Sequence, residues 1–458
     1  MKNFICVFIF LVHGVVFAQL PVSTDSPVDY MWKFVGYPGL SDNWATSVSM
    51  ALSPDGKPYV AYSDALTFLS TTVKRFDGNN WVMVGSQGFS GSQTVHNKIA
   101  FSSSGEPHVV YGDQGYDGYA TIMKFNGADW QLVGDRGFSN EYVITPLLSF
   151  NPDGEPYVAY ITLNDKVTVM KYNGVDWVHV GTPEFSINKA DYLSFAISPT
   201  GYPYVAFQNY PPSGKVSVMK FDGTGWGYVG PPEISSGWGY EISLAFSPAG
   251  EPHVVYSDGD ISYKARALKF DGTNWVDVGQ PEFSAEDIGQ TSLVFSQTGA
   301  LYLAYQEWIN NMKTTVMKFD GSDWSYVGSP CFSPDTTWYI TLGVNQSEQL
   351  FIAFQDWGNF RKVSVMTFDS VFTSVNRLHK PEPAIYPNPA IRFLTVDLSN
   401  MPLGISSVEI MDLQGACLFK KSGSEKRMIV NVENYPAGMY LIRVRTTNST
   451  FTGKFCKE

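Results

Sequence analysis

The chain has 458 residues, of which 44% are apolar, 15% aromatic and only 16% charged. That apolar content offsets chain entropy and excludes a disordered protein, while the low charge excludes a coiled coil. With 43 acidic against 31 basic residues the net charge is -12, which repels phosphate backbones and anionic headgroups and argues against nucleic acid as a partner. The 41 glycines, 27 prolines, 26 tyrosines and 12 tryptophans indicate many short strands joined by turns, hence an all-β fold.

At the amino end, Lys2 precedes an apolar run from Phe4 to Phe17, followed by small residues before Gln19. This is the pattern of an export signal over residues 1–18, cleaved between Ala18 and Gln19. The run is too short to anchor the chain in a membrane, and no later stretch reaches the length a transmembrane helix needs. The protein is therefore expected to be exported. Cys6 leaves with the signal. Of the remaining thiols, Cys331 stands alone, and Cys417 and Cys456 either pair or replace apolar strand residues.

From residue 32 the chain repeats itself. A Trp-x-x-Val-Gly motif recurs at Trp32, Trp81, Trp130, Trp177, Trp226, Trp275 and Trp324, at spacings of 47 or 49 residues. Such a period, with strand-like units and turns, is that of propeller blades. In the fifth unit SLAFSPAG (243–250) turns into EPHVVYSD (251–258), a loop leads to KARALKFDG (264–272), and a tight turn delivers WVDVG (275–279). These are strands A to D, counted outward from the axis. Asp-Gly pairs before the motif tryptophan, as at Asp271-Gly272, supply the positive φ of a tight hairpin. Proline opens strand B at Pro58, Pro107, Pro156, Pro203 and Pro252, where a missing N–H costs least. The seventh unit has strands A to C but no Trp-x-x-Val-Gly, whereas Trp32 has the motif but no blade of its own. The amino-terminal strand is therefore expected to complete blade 7 and close a seven-bladed propeller over residues 32–370. The repeat lacks the Asp-box, Gly-Gly and Gly-His/Trp-Asp signatures of familiar propellers and resembles that of uncharacterised secreted propeller proteins.

Function is expected on the face carrying the D-to-A and B-to-C loops, because the turns of the opposite face are nearly identical from blade to blade. Five tryptophans lie outside the repeat motif: Trp44, Trp238 and Trp338 ahead of strand A, and Trp308 and Trp357 after strand B. Indoles left in water are costly. A crescent of them suits stacking on a sugar ring or gripping a protein; the alternative is that they, with Tyr210, Tyr240 and Tyr339, cover the blade ends. Strand B ends on Asp64, Asp113, Asp258, Glu307 and Asp356, with Thr162 and Asn209 in the other blades. These residues either cap their own loops or bind calcium, and capping is the simpler reading. No other cofactor and no metal-ligand spacing is legible. His96 and His179 stand alone, and His108 and His253 replace Tyr59 of the repeat. Asp191 and Glu241, near the starts of strands A in blades 4 and 5, are the only carboxylate pair suggesting glycoside cleavage. The principal expectation is thus a binding module for glycan or protein. The alternatives are a polysaccharide-degrading hydrolase or lyase, and a structural protein of adhesion or gliding.

Beyond the repeats, a linker over 371–383, polar and proline-bearing from Asn376 to Pro383, leads to a second domain at 384–458. It carries Tyr386-Pro387-Asn388-Pro389, an Asp412-x-x-Gly415 turn, a PAGMYLIRV strand with Gly438, and a terminal Lys454-Phe-x-Lys457. Its short alternating runs read as a small β-sandwich. These motifs resemble the type A sorting domain of the type IX secretion system. The resemblance implies that the chain is handed to the type IX machinery, crosses the outer membrane, and is released or attached to the surface after removal of this domain.

Overall fold

A computed structural model describes residues 29–371, except 212, and 384–458 apart from 387–388, 399–404, 414, 424–425 and 447–449. The signal and its Ala18–Gln19 junction, the linker from 372, and Pro387 and Asn388 of the sorting motif lie outside the described residues. Two compact units emerge, one spanning Tyr30–Ser370 and the other containing Val371–Glu458.

The first unit is a seven-bladed propeller. Blade 1 comprises Ala45–Leu52, Pro58–Asp64, Ser70–Phe76 and Trp81–Met83, hydrogen-bonded in that order. Blades 2 to 6 repeat the plan. Blade 7 takes strands Thr337–Val344, Leu350–Asp356 and Lys362–Val371 from its own repeat, and Asp29–Phe34 supplies its outer strand. The Val35 amide donates to the Val365 carbonyl at 2.8 Å, extending this closure.

The repeat motif owes its composition to contacts between blades. Each motif indole reaches the preceding blade and donates from Nε1 to the carbonyl of that blade's motif valine: Trp81 to Val35, Trp130 to Val84, and so around the ring at 2.7–2.8 Å. Trp32 completes the circle by donating to Val327 at 2.8 Å. The motif glycines lie beneath these rings with φ between +72° and +78°, and a Cβ on Gly85 would stand 2.8 Å from Cδ1 of Trp130. Glycine is required there by both backbone and space. Phenylalanines from the D-to-A loops stack on the same indoles, Phe332 on Trp32 at 4.3 Å and Phe89 on Trp130 at 4.1 Å. The core is correspondingly divided into interblade clusters; Ala159 and Val169 of blade 3, for example, pack with Val205 and Phe207 of blade 4.

At the axis, every strand A breaks register with strand B. In six blades the residue at the break is a non-glycine in the left-handed region: Ser47, His96, Thr145, Tyr192, Glu241 and Tyr339, with φ from 48° to 55°. The exposed inner edge is satisfied across blades. Amides of Leu244, Leu293 and Leu342 donate to the hydroxyls of Ser194, Ser243 and Ser292 one blade back, at 2.9–3.0 Å.

The second unit is a small two-sheet β domain. Ala384–Tyr386, Phe393–Asp397 and Arg427–Asn431 form one sheet, and Cys417–Ser422, Ile405–Met411, Gly438–Thr446 and Thr450–Lys457 form the other. Leu394, Val396, Ile410, Ile442 and Phe455 meet in its core. Cys417 and Cys456 occupy opposite edge strands of the four-stranded sheet. That places them about 14 Å apart at ordinary strand spacing, too far for a disulfide.

Replacing Trp32 with alanine removes a buried indole, its hydrogen bond and its stacking, and should cost about 3–5 kcal/mol. Because the closing contact repeats the interior ones, Trp130→Ala should cost a similar amount. Guanidinium denaturation of both variants checks this, and a Trp32→Ala cost near zero would contradict the closure.

Candidate functional site

Strand B delivers its terminal side chain to the loop face in every blade, but most of these groups serve their own loop. Asp64, Asp113 and Asp258 are fully buried and accept the amides of Leu66, Gly115 and Asp260 at 3.0–3.1 Å, capping short 3-10 turns. Their second oxygens face strand C and neighbouring loops. Asp113 receives Arg136 Nε at 2.6 Å, and Asp258 receives Arg266 Nη1 at 3.3 Å. Glu307 accepts from Thr315 at 2.7 Å and from the Cys331 thiol at 3.1 Å; burial, reinforced by this contact, pushes that thiol up to about 11. Asp356 accepts from Ser364 at 2.9 Å. Among the described residues, no three His, Cys, Asp or Glu side chains are grouped to hold a metal ion.

The five non-motif indoles differ in their surroundings. Trp44 is exposed immediately before strand A of blade 1. Trp357 opens a 3-10 turn, donates to Gln355 at 3.0 Å and carries the Arg361 guanidinium 4.2 Å above its ring. Trp338 lies inside strand Thr337–Val344 and is half-buried, rather than ahead of the strand. Trp238 and Trp308 are exposed and belong to a different arrangement.

That arrangement is an aromatic run across blades 4 and 5, with Trp308 of blade 6 lining the adjacent cleft. Ring centroids succeed one another from Tyr210 to Trp238 at 5.5 Å, to Tyr240 at 6.0 Å and to Tyr263 at 5.5 Å, with Tyr192 edge-on to Tyr240 at 5.6 Å. A cleft of about 280 Å³ opens here, lined by Tyr192, Tyr240, Glu241, Tyr263, Asp287 and Trp308 among others. It adjoins the central channel, about 530 Å³, because Tyr192 and Glu241 line both. The left-handed conformation of these two residues in the register break is what places them at this junction.

Asp191 and Glu241 lie close enough to interact, and both line the channel. Burial, reinforced by the Asp191 charge, pushes the Glu241 carboxyl up to about 7. Burial and the two carboxylates push Tyr192 to about 12. On blade 2, burial holds Lys98 below its ordinary value, and burial and Lys98 do the same to His96. Sequence reasoning found Glu241, Asp191, Trp238 and Trp308 but missed Tyr192, Tyr263 and Asp287, and it considered Tyr240 and Tyr210 only as covers for blade ends. Aligning the repeats on the motif tryptophans was the available signal, since Ser47, His96, Thr145, Tyr192, Glu241, Gln290 and Tyr339 fall at one position.

In the second unit, Gly415 with φ +90° forms the Asp412 turn, where the Asp412 carboxylate accepts the Ala416 amide at 2.8 Å. Gly438 opens a central strand and Lys454, exposed, pairs with Leu441 from the edge strand. Tyr386 ends the first strand of the smaller sheet.

Residues 384–458 match the family of secretion system C-terminal sorting domains. The C-terminal domain is therefore a type IX sorting domain, and the chain is cargo of that system, exported to the medium or the outer surface. No curated protein matches the chain. Among solved structures it is similar to PorZ, a surface component of the type IX secretion system of Porphyromonas gingivalis, at 16% identity and TM-score 0.47. That match covers 93% of this chain and 60% of PorZ, so the chain spans less than two thirds of PorZ's length. It is also similar to an ulvan lyase solved with a glucuronate–sulfated rhamnose ligand, at 12% identity and TM-score 0.50, over 74% of this chain and 96% of the lyase. An arabinanase of Penicillium chrysogenum matches at 12% identity and TM-score 0.44, over 74% and 98%. At these identities the likeness is one of fold.

The elevated Glu241 value makes two measurable statements. Asp191→Asn removes a neighbouring negative charge and should move the Glu241 titration downward from about 7, with burial keeping it above the ordinary 4.5. Carbon-13 carboxyl shifts in labelled protein report this directly. Because the folded value lies above the unfolded one, the stability contribution is complete below about 4.5 and is lost as pH rises through about 7. Glu241→Gln should flatten that part of the stability-versus-pH curve.

Proposed function

We propose that this type IX cargo is an extracellular glycan-binding protein and that its binding site is the aromatic cleft between blades 4, 5 and 6. The observation that carries the reading is the cleft itself: four aromatic rings and the carboxylates of Glu241 and Asp287 line one pocket. Flat amphipathic rings stack on the apolar faces of sugars, and carboxylates accept bonds from their hydroxyls. Trp308 serves this role from the cleft lining and Trp238 extends it beside Tyr240, whereas Trp44, Trp338 and Trp357 are secondary contacts for a longer ligand on the same face. In this reading, residues 1–18 are removed between Ala18 and Gln19, the propeller spans 32–370, and a linker over 371–383 joins it to the sorting domain. That domain is read by the secretion machinery through Tyr386, Pro387, Asn388, Pro389, Gly438 and Lys454.

One observation favours a second reading, polysaccharide cleavage. A carboxyl held near 7 beside a second carboxyl is suited to donate a proton to a leaving glycosidic oxygen. Release of reducing ends that disappears in Glu241→Gln would establish it.

The binding reading is tested on a glycan array with the mature chain. The double change Trp238→Ala and Trp308→Ala should weaken binding at least about tenfold, from the loss of two stacking platforms. Retained affinity in that double variant would place the ligand elsewhere.

A further inference from the structure

We propose that the cleft is a receptor for an organic ammonium group, carried by an amino sugar whose amine is not acylated. The inference rests on the glycan-binding reading above and specifies its ligand. Four aromatic side chains, Tyr192, Tyr240, Tyr263 and Trp308, and two carboxylates, Glu241 and Asp287, line about 280 Å³. This volume lies at the small end of ligand pockets and suits one sugar unit rather than a chain. Among the described residues, no lysine, arginine or histidine lines the cleft. In the adjoining channel the basic lining residues are His96 and Lys98, which belong to blade 2 and not to the blades that form the cleft.

The geometry has the elements of a cation cage. Tyr192 and Tyr240 stand almost perpendicular, at an interplanar angle of 82°, and Tyr240 and Tyr263 are inclined at 51°. Rings of these different inclinations line one volume together with Trp308. A π face attracts a cation within about 6 Å of its centroid, most strongly where water is excluded. The carboxylates add the charge that an ammonium requires and a neutral sugar does not. Glu241 is partly buried beside Asp191, an arrangement of like charges that a bound cation relieves and a bound anion aggravates. An acidic or sulfated saccharide would meet repulsion from these groups. The net charge of -12 draws cations toward the surface at long range.

The same cleft could admit a neutral sugar by stacking alone, so the test separates the two cases. The mature chain is titrated with a fully deacetylated glucosamine tetramer, its fully N-acetylated counterpart and tetramethylammonium chloride, followed by calorimetry and tryptophan fluorescence. The deacetylated tetramer should bind at least about tenfold more tightly than the acetylated one, and tetramethylammonium should compete with it. Tyr263→Ala, at an exposed position, should weaken binding of the deacetylated tetramer several-fold. The pair Glu241→Gln and Asp287→Asn should abolish the preference while near-ultraviolet circular dichroism shows an intact fold. Equal binding of both tetramers, lost on Trp308→Ala, would overturn the cation cage and leave the glycan reading standing. Binding of neither tetramer and no effect of tetramethylammonium would overturn the cage as well, and glycan-array binding at the same cleft would then decide the broader reading separately.

Discussion

The indole-to-carbonyl bond that joins each blade to the one before it is the constraint on which the rest of the molecule depends. It links one motif tryptophan to the valine of the preceding motif, so a single short sequence must serve as both donor and acceptor. The glycine that follows the valine lets the next ring approach closely. Because one interaction is repeated, the ring closes only if the last donor finds the first kind of acceptor, and Trp32 reaching Val327 satisfies that condition. A propeller held in this way leaves only short outer strands such as Trp81–Met83 at the blade edges. It can export its variability to the loops without loosening the scaffold.

The inner ring works under a different constraint. A strand nearest the axis has no further strand to satisfy its inner N–H groups, and here serine hydroxyls of the preceding blade accept several of them. The register break beside these serines forces non-glycine residues into left-handed backbone, at roughly 1–2 kcal/mol each. A conformation so costly persists only where its surroundings over-determine it, and such residues concentrate at sites of function. In this propeller they direct a ring of chemically diverse side chains into the channel, and two of them, Tyr192 and Glu241, also reach the cleft.

The ring of blades, its closure by the amino-terminal strand and the sorting domain were legible in the sequence because each rests on a local, repeated or strongly patterned signal. Asp271-Gly272 and Pro252 announce their turns and strand ends wherever they occur. The bond between blades was not legible, since a tryptophan at a fixed period states that it packs but not which carbonyl it finds. The site was legible in part. Trp238 and Trp308 stood out as indoles the repeat did not need, but so did Trp357, whose ring is taken by Arg361, and Trp338, which lies within its strand. Exposure at a loop depends on what the neighbouring blade places beside it, and that information is distributed over residues about 50 apart.

The position preceding the register break shows how such a site arises from a repeat. Blade 5 carries Tyr240 there, blade 4 Asp191 and blade 7 Trp338, whereas blade 6 carries Gly289. A Cβ at Gly289 would stand 3.0 Å from Nε1 of Trp308, so the indole rests on the backbone that any other residue would have covered. The absence of one side chain in blade 6 lets Trp308 settle beside the tyrosines of blades 4 and 5. The cleft is thus made as much by a glycine within the repeat as by the aromatic residues that line it. An alanine at that position would press on both Trp308 and the Gln306 amide oxygen, each 3.0 Å away, without touching the ring of indole bonds, because Gly289 belongs to the inner strand and the motif tryptophans lie on the outer one.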